Sequence, residues 1–210
     1  MQLYGYFRSS AAYRVRIALN LKGLQAVQHY RHLQKGEQRS ADYLPLNPQG
    51  LVPALVLADG TALTQSLAII EYLEETHPAP PLLPAGAVQR AKVRAFAQAI
   101  ACEIHAVQNL KILNRLRALG HDNATVTAWA HDTIAEGLAA CEALVRAEPG
   151  PFCFGATPTL ADLALVPQLF NARRFKVELG AMPRLLAAEA ACLALPAFTE
   201  AAPENQPDAE

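Results

Sequence analysis

The stretch YFRSSAAYRVRIA, residues 6–18, sets two adjacent hydroxyls, Ser9 and Ser10, directly after Arg8 and ahead of Arg14 and Arg16. Serines in front of a helical pattern are good N-caps. A hydroxyl at a helix N-terminus can also donate to a thiolate, because the helix dipole favours negative charge there. A free thiol titrates near about 8.5, so it needs such help to ionise at neutral pH. Four other stretches carry polar groups at telling positions. TQS, residues 64–66, opens a helical pattern whose unpaired amides favour a carboxylate; Ser66 could equally serve only its own helix. In LVPAL, residues 51–55, Val52 precedes Pro53 at the start of an apolar strand, where the proline reads as an edge-strand residue. EIHAVQN, residues 103–109, spaces His105, Gln108 and Asn109 to share one helix face. RRFKV, residues 173–177, ends a helical pattern with Arg173 and Arg174, which would favour its dipole.

The elements around these residues fall into two groups. In residues 1–77 the pattern alternates: a strand at 2–7, a helix at 11–22 stopped by Gly23, a strand at 26–33, a polar stretch, strands at 51–57 and 61–64 joined by ADG, and a helix from Gln65. Residues 78–86, PAPPLLPAG, break every period with four prolines and a glycine, which places the domain boundary there. Residues 87–210 read as helical, over about 87–119, 123–147, 159–175 and 182–195, with a polar tail expected to be partly mobile. TLAD, residues 159–162, has the spacing of a capping box and is assigned to stability. The fold class is therefore an α+β N-terminal domain followed by an all-α domain.

With 52% hydrophobic and 18% charged residues and a net charge of −1, the chain is neither disordered nor broadly basic, which argues against nucleic acid as its main partner. Cys102, Cys141, Cys153 and Cys192 lack the short paired spacings of a metal or redox site and read as free thiols in a reducing compartment. No metal site is expected. No signal-like N-terminus and no membrane-length apolar run is present, so the expected location is the cytoplasm, without membrane attachment.

The segments YFRSS, RVRIALNLKG, LNPQGLVPAL, QSLAIIEYLEE, EIHAVQNLKIL, TPTLADLALVPQ, RRFKV and the closing QPD stand in an order and spacing that resembles the zeta class of the glutathione transferases, which includes maleylacetoacetate and maleylpyruvate isomerases. The resemblance implies a thioredoxin-like first domain with a mixed four-stranded sheet, a helical second domain, a glutathione site between them and a homodimer. It implies that Gln65 and Ser66 hold the γ-glutamyl end. It implies too that a cis Pro53 leaves the Val52 backbone to pair with the cysteinyl unit, and that Ser9, or else Ser10, donates to the thiolate. His105, Gln108 and Asn109 would line the cleft, and the loop with His32, Lys35 and Gln38 could reach the glycyl carboxylate. Arg8 and Arg174 would clamp the carboxylates of a small anionic substrate, leaving Arg14 and Arg16 with structural or surface roles. Many members follow the serines with cysteine, whereas this chain has Ala11, so sulfur chemistry must come from glutathione. The implied reaction is cis–trans isomerisation of maleylacetoacetate by thiolate addition, bond rotation and elimination. Maleylpyruvate isomerisation, glutathione conjugation and non-catalytic glutathione binding are the alternatives.

Overall fold

The short apolar runs of the first eighty residues form four strands, β1 (Gln2–Gly5), β2 (Val27–Tyr30), β3 (Ala54–Val56) and β4 (Ala62–Thr64), in a computed structural model that describes residues 1–210. Their order is β2-β1-β3-β4. β1 and β2 are parallel, which requires a crossover, and α1 (Ser10–Leu21) supplies it. β3 runs antiparallel to both β1 and β4, with Leu3 opposite Leu55 and Leu55 opposite Leu63. α2 (Ser66–Thr76) follows β4 almost without a loop. β1 passes close beneath α1: a Cβ at Gly5 would stand 3.3 Å from the Ala12 Cβ.

Lys22, just past the end of α1, is buried and fully paired. Its Nζ donates to Glu74 Oε2 at 2.8 Å and to the carbonyls of His77 and Pro80 at 2.6 and 3.0 Å. Glu74 also accepts the Leu82 N–H at 2.9 Å. A buried charge is tolerated only with such a set of partners, so this ion pair fixes α1, the end of α2 and the start of the proline-rich stretch together.

This part of the chain, Met1–Leu82 with Leu193–Glu210, is one compact unit, and Leu83–Cys192 is the other. The second unit contains α3 (Ala87–Gln98), α4 (Leu110–Ala118), α5 (Asn123–Val145), α6 (Leu160–Arg174) and α7 (Pro183–Leu193). The single helix expected over 87–119 is in fact three pieces, because a wide-turned π segment, Ala99–His105, separates α3 from α4. The apolar spacing hides the break, since Ile100 and Ile104 are both buried at the four-residue spacing of an ordinary helix. α5 reaches this segment through Gly137, where a Cβ would collide with the Ile104 side chain.

α6 is buried along nearly its whole length, and TLAD forms a capping box at its start. Asp162 Oδ2 accepts from the Thr159 N–H at 2.8 Å, while Oδ1 accepts the Cys153 N–H at 2.8 Å. Burial pushes the Asp162 carboxyl up. No helix in either unit is long and apolar enough to cross a membrane.

The closing residues depart from the division at 78–86, which placed everything from 87 onward in the helical domain. Leu193–Glu210, including the short α8 (Pro196–Thr199), belongs with the first unit. Nor is this segment a loose tail. Tyr13 Oη donates to the Phe198 carbonyl at 3.1 Å, Asn20 Nδ2 to Ala197 at 3.1 Å, and Arg16 Nε to Ala201 at 2.9 Å. Its composition is polar, yet Phe198, Ala201, Ala202 and Pro203 are buried and its carbonyls satisfy donors from α1.

Candidate active site

Ser9 is the N-cap of α1: its backbone is extended and its Oγ accepts the Ala12 N–H at 3.2 Å. An acceptor role toward Ala12 leaves the hydroxyl proton to donate elsewhere. Cap and thiolate donor are therefore compatible roles for one serine. Ser10 is the first helical residue and is buried, as is Ala11 behind it. Arg8 is half-buried, its guanidinium carbon 5.6 and 5.9 Å from the ring centroids of Phe7 and Tyr6. These rings belong to a cluster with Tyr43, Val52 and Ala54, in which burial pushes the Tyr43 hydroxyl up to about 12.

At α2 the N-cap is Gln65, whose positive φ of 67° is uncommon outside glycine. Its Nε2 donates to Gln49 Oε1 at 2.8 Å and makes no cap bond. Ser66 is thus the first residue of the helix and not its cap, which corrects the simple capping reading. Its Oγ accepts from Arg14 Nη1 at 3.3 Å. The first amides of α2 have no partner within the helix, so a carboxylate placed there would meet backbone N–H groups, the Ser66 hydroxyl and the field of Arg14. The Val52–Pro53 peptide is cis, and Val52 precedes β3 outside the strand pairing. The chain entering β3 and the two helix starts therefore offer this unit three kinds of group suited to an anionic tripeptide thiol: amides, hydroxyls and an unpaired stretch of backbone.

Arg14 and Arg16 are not surface residues; they are 1% and 7% exposed. Arg16 donates through Nη2 to the Phe7 carbonyl at 2.9 Å and through Nη1 to Tyr6 at 3.4 Å, besides its bond to Ala201. Desolvation lowers its pKa to about 10. The loop expected near a glycyl carboxylate is already engaged. His32 Nδ1 accepts the Lys35 N–H at 3.2 Å, which leaves the proton on Nε2, and Nε2 lies 2.9 Å from Glu210 Oε1. Lys35 Nζ lies 4.0 Å from the same oxygen, and Gln38 Nε2 bonds to the Leu33 carbonyl at 3.3 Å.

In the second unit, His105 ends the π segment, Gln108 is buried, and Asn109 is the N-cap of α4, with Oδ1 accepting the Ile112 N–H at 3.2 Å. The three do not share one continuous helix face, because the helical pattern is interrupted between 105 and 110. Arg174 ends α6, where its Nη1 donates to Asn171 Oδ1 at 2.9 Å and its guanidinium carbon lies 5.7 Å from the Phe175 ring centroid. Arg173 beside it pairs with Glu189 at 2.6 Å.

Residues absent from the sequence reading are the partners that orient these groups. Gln49 holds Gln65, and Asp208 Oδ2 accepts the Phe7 N–H at 2.9 Å. QPD carried Asp208 only as one of the segments of the family resemblance, with nothing to show that it returns to residue 7.

Comparison with known proteins identifies the family. Residues 8–76 match the family model of the glutathione S-transferase N-terminal domain, and residues 90–194 that of the C-terminal domain. A maleylacetoacetate isomerase of Pseudomonas aeruginosa is 49% identical over 210 residues, covering 99% of this chain and 98% of the relative. A solved maleylpyruvate isomerase, described as a bacterial zeta-class glutathione S-transferase in its holo form, is 48% identical with a TM-score of 0.96 and full coverage of both chains. A maleylacetoacetate isomerase from Methylobacterium extorquens AM1, solved with malonate and glutathione bound, is 38% identical with a TM-score of 0.97, again over both full chains. Identity of this extent along the whole length, with both domain models matched in order, means that the chain belongs to the glutathione S-transferase family, in its zeta class.

Proposed function

We propose that the protein is a glutathione-dependent cis–trans isomerase acting on maleylacetoacetate. The observation that carries the site chemistry is Ser9: its Oγ is already committed as acceptor to the Ala12 N–H, so its proton is the part left to serve a sulfur anion at the start of α1. When bound, glutathione supplies a sulfur nucleophile for reversible addition to the activated cis alkene, so that rotation and elimination give the trans isomer. The chain's own groups bind and orient. Ser66, Gln65 and the first amides of α2 are assigned to the γ-glutamyl end, and the backbone at Val52–Pro53 to the cysteinyl unit. Ser9, with Ser10 beside it, is assigned to the thiolate. Arg8 and Arg174 are assigned to substrate carboxylates, since a dianion needs fixed cations. His105, Gln108 and Asn109 are retained as contributors from the second unit. No thiol stands at position 11, so no protein sulfur takes part at α1.

Isomerisation of maleylpyruvate is the second reading, supported by the similarity to the solved maleylpyruvate isomerase. Both substrates should be followed by ultraviolet absorbance with and without glutathione. Turnover requiring only catalytic glutathione supports the proposal, and the faster substrate decides between the readings. Equal rates without glutathione, or glutathione consumed one for one, would sink it.

A further inference from the structure

The turn that carries Arg8 and Ser9 is fixed by residues that take no direct part in it. The peptide groups of Phe7 are bonded on both sides: Asp208 Oδ2 accepts the Phe7 N–H at 2.9 Å, and Arg16 Nη2 donates to the Phe7 carbonyl at 2.9 Å. Arg16 also reaches the Tyr6 carbonyl at 3.4 Å, which in turn accepts the Ser9 N–H at 3.0 Å. Its Nε holds the closing segment at Ala201, 2.9 Å away, and the nearby Asp208 charge favours the Arg16 cation. The closing segment is itself braced by Gln206 Nε2 on the carbonyls of Glu200 and Ala202, at 2.9 and 3.0 Å. The residues immediately before Arg8 thus have no backbone freedom that does not break a bond to Arg16 or Asp208.

We infer that Asp208 is a positioning residue: the closing segment acts as a strap that, with Arg16, sets where Arg8 and Ser9 stand relative to α1. The inference rests on the roles proposed above for Arg8 and Ser9. It gives the QPD segment a mechanical purpose in the reaction without contact to substrate. Asp208 Oδ1 is buried and makes no hydrogen bond, so one oxygen does the holding. Asp208→Asn therefore keeps the acceptor toward Phe7 and puts its amide where no bond exists, whereas Asp208→Ala removes the acceptor.

The test compares these two variants in the full chain. Displacing a clamp by about an ångström costs on the order of ten- to a hundredfold in rate. Asp208→Ala is accordingly expected to lower kcat/KM for the maleyl substrate by about tenfold or more, while the glutathione Kd, which also rests on the groups assigned at α2 and before β3, changes by much less and Asp208→Asn recovers most of the loss. Hydrogen exchange should accelerate at the Phe7 and Ser9 amides in Asp208→Ala and stay unchanged in β3 and α2. Unchanged kinetics and exchange in Asp208→Ala would overturn the strap. So would a loss shared equally by glutathione Kd, kcat and Tm, which would mark a merely structural residue. If the wild type isomerises neither maleyl compound, the function proposed above fails, and the exchange measurement alone still decides for or against the strap.

Discussion

Arg14 Nη1 donates to Ser66 Oγ across 3.3 Å, and both side chains are buried. A guanidinium can only donate, so this bond uses a lone pair of the serine and leaves its proton for an acceptor. Ser66 is thereby set as a donor at the N-terminus of α2, beside amides that also seek an anion. Hydrogen bonds to charged groups contribute about 1.5–3 kcal/mol, so Ser66→Ala should raise the glutathione Kd by about 10- to 100-fold by calorimetry. An analogue lacking the γ-glutamyl α-carboxylate should bind both forms alike. An unchanged Kd in Ser66→Ala would remove the carboxylate assignment.

Ser9 caps α1 and is assigned to the thiolate, two roles that substitutions can separate. Ser9→Ala removes the cap bond to the Ala12 N–H and should cost about 1 kcal/mol of stability. It should also raise the pKa of the bound thiol, read as thiolate absorbance against pH. The rate then falls most on the acid side of that pKa, where thiolate is scarce, and approaches wild type as pH rises through it. Ser9→Asp should restore the cap and raise the thiol pKa further, because a carboxylate opposes a neighbouring anion. If thiolate titration is the same in all three forms, Ser10 or another donor serves the sulfur.

Alkylation separates glutathione sulfur from protein sulfur. All four cysteines lie in Leu83–Cys192, outside the unit that holds Ser9, and only Cys102 is exposed. Burial pushes the Cys141 thiol up to about 12, and burial together with the Asp162 charge raises Cys153 and Cys192. Iodoacetamide at mildly alkaline pH should therefore add a single group, at Cys102, by mass spectrometry. Activity should be intact once fresh glutathione is supplied, and adducts at Cys141 should accumulate only as pH climbs toward its raised pKa. Inactivation accompanying the first adduct would implicate a protein thiol.

The elements and the polar helix starts are legible in the sequence because they depend on local spacing: serines before helices, a proline at a strand entrance, a proline-rich interruption. Arg14 and Arg16 were not, since helix periodicity says which way a side chain points and nothing about the carbonyl or hydroxyl that meets it. Arg16 finds Ala201 from 185 residues away, and Asp208 meets Phe7 across 201. Polar composition concealed the docking of 193–210 for the same reason. The face assigned to His105, Gln108 and Asn109 failed differently. No glycine or proline marks the π segment, and its two isoleucines keep the ordinary helical spacing through the break.

Arg8, assigned above to a substrate carboxylate, makes the sharpest demand on side-chain type. Its flat guanidinium lies near the Phe7 and Tyr6 rings, an arrangement that orients a planar fork and not merely a charge. Lysine keeps the charge but loses the fork. Arg8→Lys should thus retain little of the function, with kcat/KM for the maleyl substrate lower by about tenfold, and Arg8→Ala lower by about 100-fold. Glutathione Kd should be unaffected in both, because the groups assigned to its carboxylate and backbone lie at α2 and before β3. A lysine variant with wild-type kcat/KM would reduce Arg8 to a source of field. A parallel loss of glutathione affinity would move it from the substrate to the cofactor.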